Sequence, residues 1–211
     1  MSRPKNEDGV TSGTTIALPQ LQQSEVDLLD DSRLVELHRY GDPEAFAHIY
    51  SRFERMVYNL ALRMSADPDE AEECTQETFV RVHRYLERFR GDSSLKTWIF
   101  RVAINCSRTR LRRRARRRRR FRQGQPEQLE REVDSHRSPE ERTVDRDMAG
   151  RLVALLAQVE PPYREAVILR DLEGLSYRQI GSVLGVRPGT VRSRIARGRE
   201  ALRNLLEAPS R

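Results

Sequence analysis

The sequence predicts an all-α protein, with two small helical domains joined by a flexible charged linker and a helix-turn-helix as the C-terminal domain. Three observations predict it. Apolar residues recur at three- and four-residue spacing, most clearly Phe46, Ile49, Tyr50, Phe53, Val57, Leu60, Ala61 and Met64, which is the stripe of an amphipathic helix. No strand-like alternation and no Asn-Gly hairpin signal interrupts the pattern. An acidic, proline-containing stretch poor in apolar residues then separates an N-terminal set of helices from a C-terminal set, a composition that cannot bury a core.

Residues 1–27 are polar, with Gly, Ser, Thr and Pro, and are expected to form a disordered lead-in. Helical periodicity opens at Asp31, read as an N-cap, and runs through Leu34, Val35 and Leu37 to a break at Gly41. Asp42-Pro43 starts the second helix with a cap followed by proline, and Asp67-Pro68 repeats that signal for a third helix extending to about Phe89. Gly91 to Ser94 is a loop. A fourth helix runs from Leu95 into an arginine tract, where nine of the eleven residues from Arg112 to Arg122 are arginine. The first domain is placed at 28–115, the linker at 116–143 and the second domain at 144–207. In the second domain Leu152, Leu155, Leu156 and Val159 mark one helix, and Pro161-Pro162 break it. Tyr163, Ala166, Val167, Leu169 and Leu172 mark the next.

The segment from Gly174 to Arg203 is the most informative. Ser176 and Gln179 have capping-box spacing, Ile180, Val183 and Leu184 supply a buried side, and Gly185 offers the left-handed residue that ends a helix. Val186 fits under the turn, Pro188 and Gly189 lead the chain out, and Thr190 starts the next helix. On that helix Val191, Ile195 and Leu202 share a stripe with Gly198, and Arg192, Ser193, Ala196 and Arg197 lie on the far side. Arg can fork onto guanine, Ser can serve either base type, and Ala can touch a thymine methyl. Arg178, Thr190, Arg194 and Arg199, with Arg203 beyond, suit phosphates. From Leu175 to Leu206 seven arginines face one acid, Glu200. An amphipathic hairpin with a solvated basic face would leave the agreement of cap, turn and groove face unexplained.

The chain has 211 residues and a net charge of +7, with a pI near 10.0, so an anionic partner is expected. Lys5 and Lys96 are its two lysines; the remaining positive charge is arginine, the better fork for phosphate and guanine. No apolar run approaches the length of a membrane span, so no membrane insertion is expected, and the N-terminus lacks an apolar signal core. Cys74 and Cys106 are too few for a disulfide framework, which makes a reducing cytoplasm the expected compartment. His38, His48, His83 and His136 lack metal-ligand spacing, and neither a Gly-rich phosphate loop nor a nucleophile-base pair is visible. Neither enzyme chemistry, nor a cofactor, nor a metal is therefore expected.

Two further stretches leave alternatives open when read by composition. In DPDEAEECTQETFVR, residues 67–81, Ala71, Cys74, Thr75, Thr78, Phe79, Val82 and Leu86 (the last two just beyond the stretch) face inward on a helical wheel, while Glu73, Gln76, Glu77 and Val80 gather elsewhere. An acidic face repels DNA, so it is either a solvated surface or a dock for a basic protein. In FRGDSSLKTWIFRVAIN, residues 89–105, Phe89, Trp98 and Phe100 interleave with Arg90, Lys96 and Arg101. That mixture suits single-stranded DNA, through stacking and backbone charge, or equally a core Trp on an amphipathic helix.

These stretches, in this order ahead of the helix-turn-helix, resemble the extracytoplasmic-function sigma factors. GDPEAFAHIYSRF, DEAEECTQETFVRV, FRGDSSLKTWIFRVAIN and VEPPYREAVILRDLEGLSYRQIG followed by GTVRSRIARGREALR look like that family's segments. The resemblance implies that 28–115 is sigma region two and 144–207 sigma region four. It implies docking of Glu73, Gln76, Glu77 and Val80 on the clamp coiled coil of core RNA polymerase. It further implies capture of the unstacked −10 strand by Ser94, Lys96, Thr97, Trp98, Arg101 and Asn105, with Asn105 reading a flipped base. Arg192, Ser193, Ala196 and Arg197 would read the −35 element of promoter DNA as duplex, and an anti-sigma factor would be a further partner.

Several positions depart from the family pattern. His83 stands where Trp is common, Cys74 where Leu or Ile is usual, Thr109 where Asp is frequent, and Gly198 where Ala is usual. Gly198 implies a helix-propensity cost of about 1 kcal/mol. The arginine tract is heavier than the pattern needs and reads equally as a grip on DNA or a solvated helix end. Two rival functions remain. One is a polymerase-independent helix-turn-helix regulator on a palindromic site; the other is an RNA-binding or scaffold protein led by the arginine tract.

Overall fold

A computed structural model describes residues 30–122 and 144–207, and all the regular structure among them is helical. The expected lead-in and most of the expected linker lie outside the described residues. Helix α1 spans Asp31–Arg39, α2 Pro43–Ser65 and α3 Pro68–Tyr85, the last ending in a 3-10 turn, Leu86–Arg88. The aspartates before the prolines cap as expected: Asp42 accepts from the Glu44 N–H, and Asp67 from the N–H groups of Asp69 and Glu70. At the first helix the cap is Asp30, one residue earlier than the sequence suggests. Asp31 pairs instead with Arg52 on α2 at 3.0 Å.

Helix α4 spans Leu95–Arg122. It continues seven residues past 115, where the first domain was expected to end, so 116–122 is helix and not linker. Arginine is a good helix former, and the first glycine or proline after Leu95 is Gly124. In the C-terminal half α5 spans Val144–Gln158, and α6 spans Pro161–Val167 and widens into a π turn, Ile168–Leu172. Then come α7, Tyr177–Leu184, and α8, Pro188–Glu207. The capping box of Ser176 and Gln179 is formed in both directions, and Gly185 ends α7 at φ 70°. Helix α8 starts at Pro188, two residues before Thr190.

The N-terminal core is built from the stripes read in the sequence. Leu34, Ile49, Leu60 and Met64 meet Leu86, Leu95, Ile99, Phe100 and Ile104, all buried. The inward set of α3, from Ala71 to Leu86, is buried as the wheel predicts. Leu156, Ile168, Leu169, Ile180, Val191 and Ile195 continue the same apolar cluster into the C-terminal half. The halves are thus packed together, α2 against α5 and α4 against α7.

Polar groups close the seam. Arg164 and Glu165, neighbours in sequence, are both buried and point to different partners. The Arg164 guanidinium donates to the carbonyls of Ala157 and Val159 at the end of α5, and to the Met64 carbonyl at the end of α2 at 2.5 Å. Those carbonyls are among the acceptors that a helix C-terminus leaves unpaired. Glu165 accepts a bidentate fork from Arg108 of α4, at 2.7 and 2.6 Å. Burial pulls the Arg164 pKa down, whereas the hydrogen bonds to Glu165 raise that of Arg108.

Gly198 has a packing role that helix propensity hides. A Cβ there would lie 2.5 Å from Val167 Cγ2 and 2.9 Å from the Tyr163 carbonyl oxygen, so its absence lets α8 press onto α6. We expect Gly198→Ala to lower the thermal stability of the protein, because overpacking against backbone costs about 1–3 kcal/mol and outweighs the gain of about 1 kcal/mol in propensity. A melting temperature raised by the substitution would show that the close approach is not needed.

Candidate nucleic-acid interface

The helix-turn-helix is assembled by local contacts. Gly181 sits under the turn, where a Cβ would meet the Val186 carbonyl oxygen at 2.8 Å, and the Val186 N–H returns to the Gly181 carbonyl. Val191, Ile195 and Gly198 are buried and hold α8 in place. Arg192, Ser193, Ala196 and Arg197 are therefore exposed together on the opposite face, as are Arg178 and Thr190. Two of the arginines are already engaged. Arg197 donates to the Tyr163 hydroxyl at 3.1 Å, and Arg199 forks onto Asp171 at 3.0 and 2.5 Å. Arg192 and Arg178 have no ion pair among the described residues. Arg194 is half-buried.

The loop and helix from Phe89 to Asn105 form a second face. Ser94 accepts from the Thr97 N–H at 3.2 Å and pairs with the Thr97 hydroxyl at 2.8 Å, fixing the first turn of α4. Thr97 is only 1 % exposed, so in this arrangement its side chain sets the loop and does not reach outward. Phe100 is fully buried, which removes it from the aromatics available for stacking. Trp98 packs against Phe89, with ring centroids 5.4 Å apart, and Asn105 is exposed. Thr109, the residue standing in place of a common Asp, donates to the Asn105 carbonyl at 2.9 Å and so keeps a local bond at the end of this face.

The C-terminal half occupies part of that face. Lys96 Nζ donates to the Glu173 carbonyl at 3.2 Å, and Arg101 donates to Ser182 Oγ at 2.5 Å. Arg101 Nε is buried with no hydrogen-bond partner, a donor that this packing leaves unsatisfied. Both cations are thus already engaged with the C-terminal half. Glu173, its side chain 8 % exposed, also pairs with Arg63 at 2.7 Å. Sequence reasoning missed Glu173, Ser182, Asp171 and Tyr163, each far along the chain from the arginine or lysine it meets. Arg164 and Glu165 did carry a signal, two charges set on an otherwise apolar helical stripe.

On α3 the acidic face is organised from α4. Arg110 bonds to Glu70 at 2.7 Å and to Glu73, and its other nitrogen lies 3.9 Å from Glu77. Glu77 also takes Arg81 at 2.5 Å. Around these pairs Gln76 is exposed, and Val80 is 58 % exposed, an apolar spot inside a polar rim. Cys74 and Cys106 lie buried beneath, and burial pushes both thiols up, away from the thiolate form. Among the described residues no group of three or more His, Cys, Asp or Glu could hold a metal ion, and no helix is long and apolar enough to cross a membrane.

Two family models match, Sigma-70 region 2 over residues 49–117 and Sigma-70, region 4 over residues 149–202. The chain is 33% identical over 181 residues to the RNA polymerase sigma-H factor of Pseudomonas aeruginosa, covering 84% of this chain and 94% of that protein. It is 31% identical to the ECF RNA polymerase sigma-E factor of Escherichia coli, covering 85% and 95%. Its fold is similar to that of the sigma factor RpoE from Bartonella quintana, solved in complex with the anti-sigma factor NepR. That match has a TM-score of 0.61 and 24% identity and covers 79% of this chain and 99% of that one.

Glu173 yields a pH prediction. Burial raises its pKa, against the pull of Arg63 and Lys96. A carboxyl whose folded pKa is raised contributes stability that is present below its ordinary range and lost as pH rises through the raised value. Glu173→Gln is therefore expected to be at least as stable as the parent at neutral pH, with the advantage vanishing as the pH falls to the ordinary carboxylate range. Thermal melts across that range check it; a Gln variant less stable at neutral pH would mean that the Arg63 pair outweighs burial.

Proposed function

The chain belongs to the extracytoplasmic-function sigma factors, which direct RNA polymerase to promoters, and from that premise we propose how its residues divide the work. The observation that carries the reading is the exposed quartet Arg192, Ser193, Ala196 and Arg197, held on one face of α8 by the buried stripe opposite. This face enters the major groove of the −35 element, with base edges read by the N-terminal part of the helix. Arg178, Thr190 and Arg194 hold phosphates around it. Arg197 and Arg199 join once they release Tyr163 and Asp171.

The acidic face of α3 docks on core polymerase. Glu73, Gln76 and Glu77 meet a basic surface, and Val80 supplies the apolar contact that excludes water at its centre. Arg110 positions the carboxylates from behind. It holds Glu70 and Glu73 in fixed geometry, so less side-chain entropy is lost on docking.

The −10 element is captured on the N-terminal turns of α4. Trp98, braced by Phe89, stacks against an unpaired base, Lys96 and Arg101 hold the strand's backbone, and Asn105 reads a flipped base. Ser94 and Thr97 act as positioning residues through the cap that orders the loop. Flipping costs a few kcal/mol, which a preset stacking surface offsets at about 1–3 kcal/mol per base. The factor performs no bond chemistry of its own and works in the cytoplasm beside the polymerase. An anti-sigma partner, like that of the Bartonella relative, is expected to cover these same faces.

Glu77→Arg is expected to reduce association with core polymerase at least tenfold in a pull-down while leaving duplex binding by α8 intact; undiminished polymerase affinity would refute the docking role. Trp98→Ala is expected to permit closed-complex formation yet cut permanganate reactivity of −10 thymines several-fold. Normal reactivity in that variant would remove Trp98 from promoter opening.

A further inference from the structure

We infer that the π turn after α6 couples the two DNA faces: Asp171 in the turn restrains Arg199 of α8, Glu173 at its close restrains Lys96 of α4, and release of the first loosens the second. The inference rests on the −35 and −10 roles proposed above for those faces. Arg170, Asp171 and Glu173 stand within four residues, yet each goes to a different part of the fold. Arg170 donates to the Leu175 carbonyl at 2.9 Å and lies over the Tyr177 ring, bracing the entry to α7. Asp171 takes the fork of Arg199 at 3.0 and 2.5 Å. Glu173 pairs with Arg63 of α2 at 2.7 Å, and its carbonyl accepts from Lys96 at 3.2 Å. One short segment therefore holds a cation from each DNA face.

Backbone geometry makes the turn a two-state element. The Glu173 N–H donates to the Ile168 carbonyl at 3.0 Å, five residues back instead of the four of an α-helix. Such π turns are rare and recur at functional sites. Tightening this one to an α turn shifts the register by one residue and rotates whatever follows by about 100°. Glu173 then loses Arg63 and Lys96 together. The fork from Arg199 holds the wide form, because Arg199 stands on a helix fixed by the buried Val191, Ile195 and Gly198. Both partners of that fork are partly exposed, so a phosphate reaches Arg199 without opening the core. Once Arg199 leaves for a −35 phosphate, Asp171 no longer anchors the turn and the hold of Glu173 on the −10 face weakens. A fork this exposed is worth a factor of about two to five in an equilibrium, which sets the size of the coupling. By linkage the effect runs equally in both directions.

The test uses the full chain, whose two lysines are Lys5 and Lys96. Acylation of Lys96 by an amine-reactive ester, read by mass spectrometry against Lys5, reports how often Lys96 leaves the Glu173 carbonyl. Without DNA, Asp171→Asn is expected to speed Lys96 acylation about two- to fivefold, and Asp171→Glu to keep the natural rate. Arg199→Ala breaks the same fork with the opposite change of charge and is expected to speed acylation likewise. Unchanged rates in the two fork-breaking variants would overturn the coupling, as would changes of opposite sign, which would mark a charge effect on the amine alone. A −35 duplex, from a promoter selected by the assembled holoenzyme, is expected to produce the same rise in the natural chain and no further rise in Asp171→Asn. Duplex that is bound, by fluorescence anisotropy, yet leaves Lys96 unchanged would also overturn the coupling. This arm decides the matter even if a fork variant misfolds. A holoenzyme that protects no −35 element would instead overturn the reading of α8 on which the inference rests, while the arms without DNA still decide whether the turn joins Arg199 to Lys96.

Discussion

The structure depends on how two adjacent buried charges, Arg164 and Glu165, are satisfied. A buried charge is tolerable only when paired or fully hydrogen-bonded, and neither residue finds its full complement within its own half. Arg164 collects carbonyls from the ends of α5 and α2, and Glu165 takes both nitrogens of the Arg108 fork. Each therefore reaches across the seam. Removing either partner would strand a charge, and this discriminates the observed packing of the halves from a merely apolar association.

That packing governs which surfaces are available. The acidic face of α3 and the arginine-bearing face of α8 both point outward, whereas the α4 face proposed to capture the −10 strand lends Lys96 and Arg101 to the C-terminal half. Its partners there are a backbone carbonyl and a hydroxyl, weaker acceptors than a phosphate. Arg101 also keeps an unsatisfied Nε. In the proposed function the same cations leave these partners for phosphates, which are electrostatically the better acceptors.

Arginine has three separate tasks in this chain. Buried or half-buried arginines such as Arg164, Arg108 and Arg110 fix one helix against another by forks that lysine could not form. Arg197 and Arg199 rest on Tyr163 and Asp171 at the edge of the reading face. The exposed arginines of the tract have no such partners among the described residues. A net charge of +7 does not by itself distinguish these groups; their acids do, and those acids lie 28 to 57 residues away for Arg199, Arg110 and Arg108.

What the sequence determined by itself was everything governed by local rules. The aspartate-proline starts, the capping box, the left-handed Gly185 and the stripes of α2, α3 and α8 all depend on neighbours within about two turns, and each is found where the periodicity puts it, within a residue or two. The start of α1 moved by one position because Asp30 and Asp31 are equivalent caps until Arg52 claims one of them. The tertiary structure alone decided the rest. It turned Thr97 and Phe100 inward, set Glu173 and Ser182 against the −10 face, and made Gly198 a packing requirement where propensity showed only a cost. These outcomes arise from contacts between residues remote in the chain, whose energies no local pattern encodes.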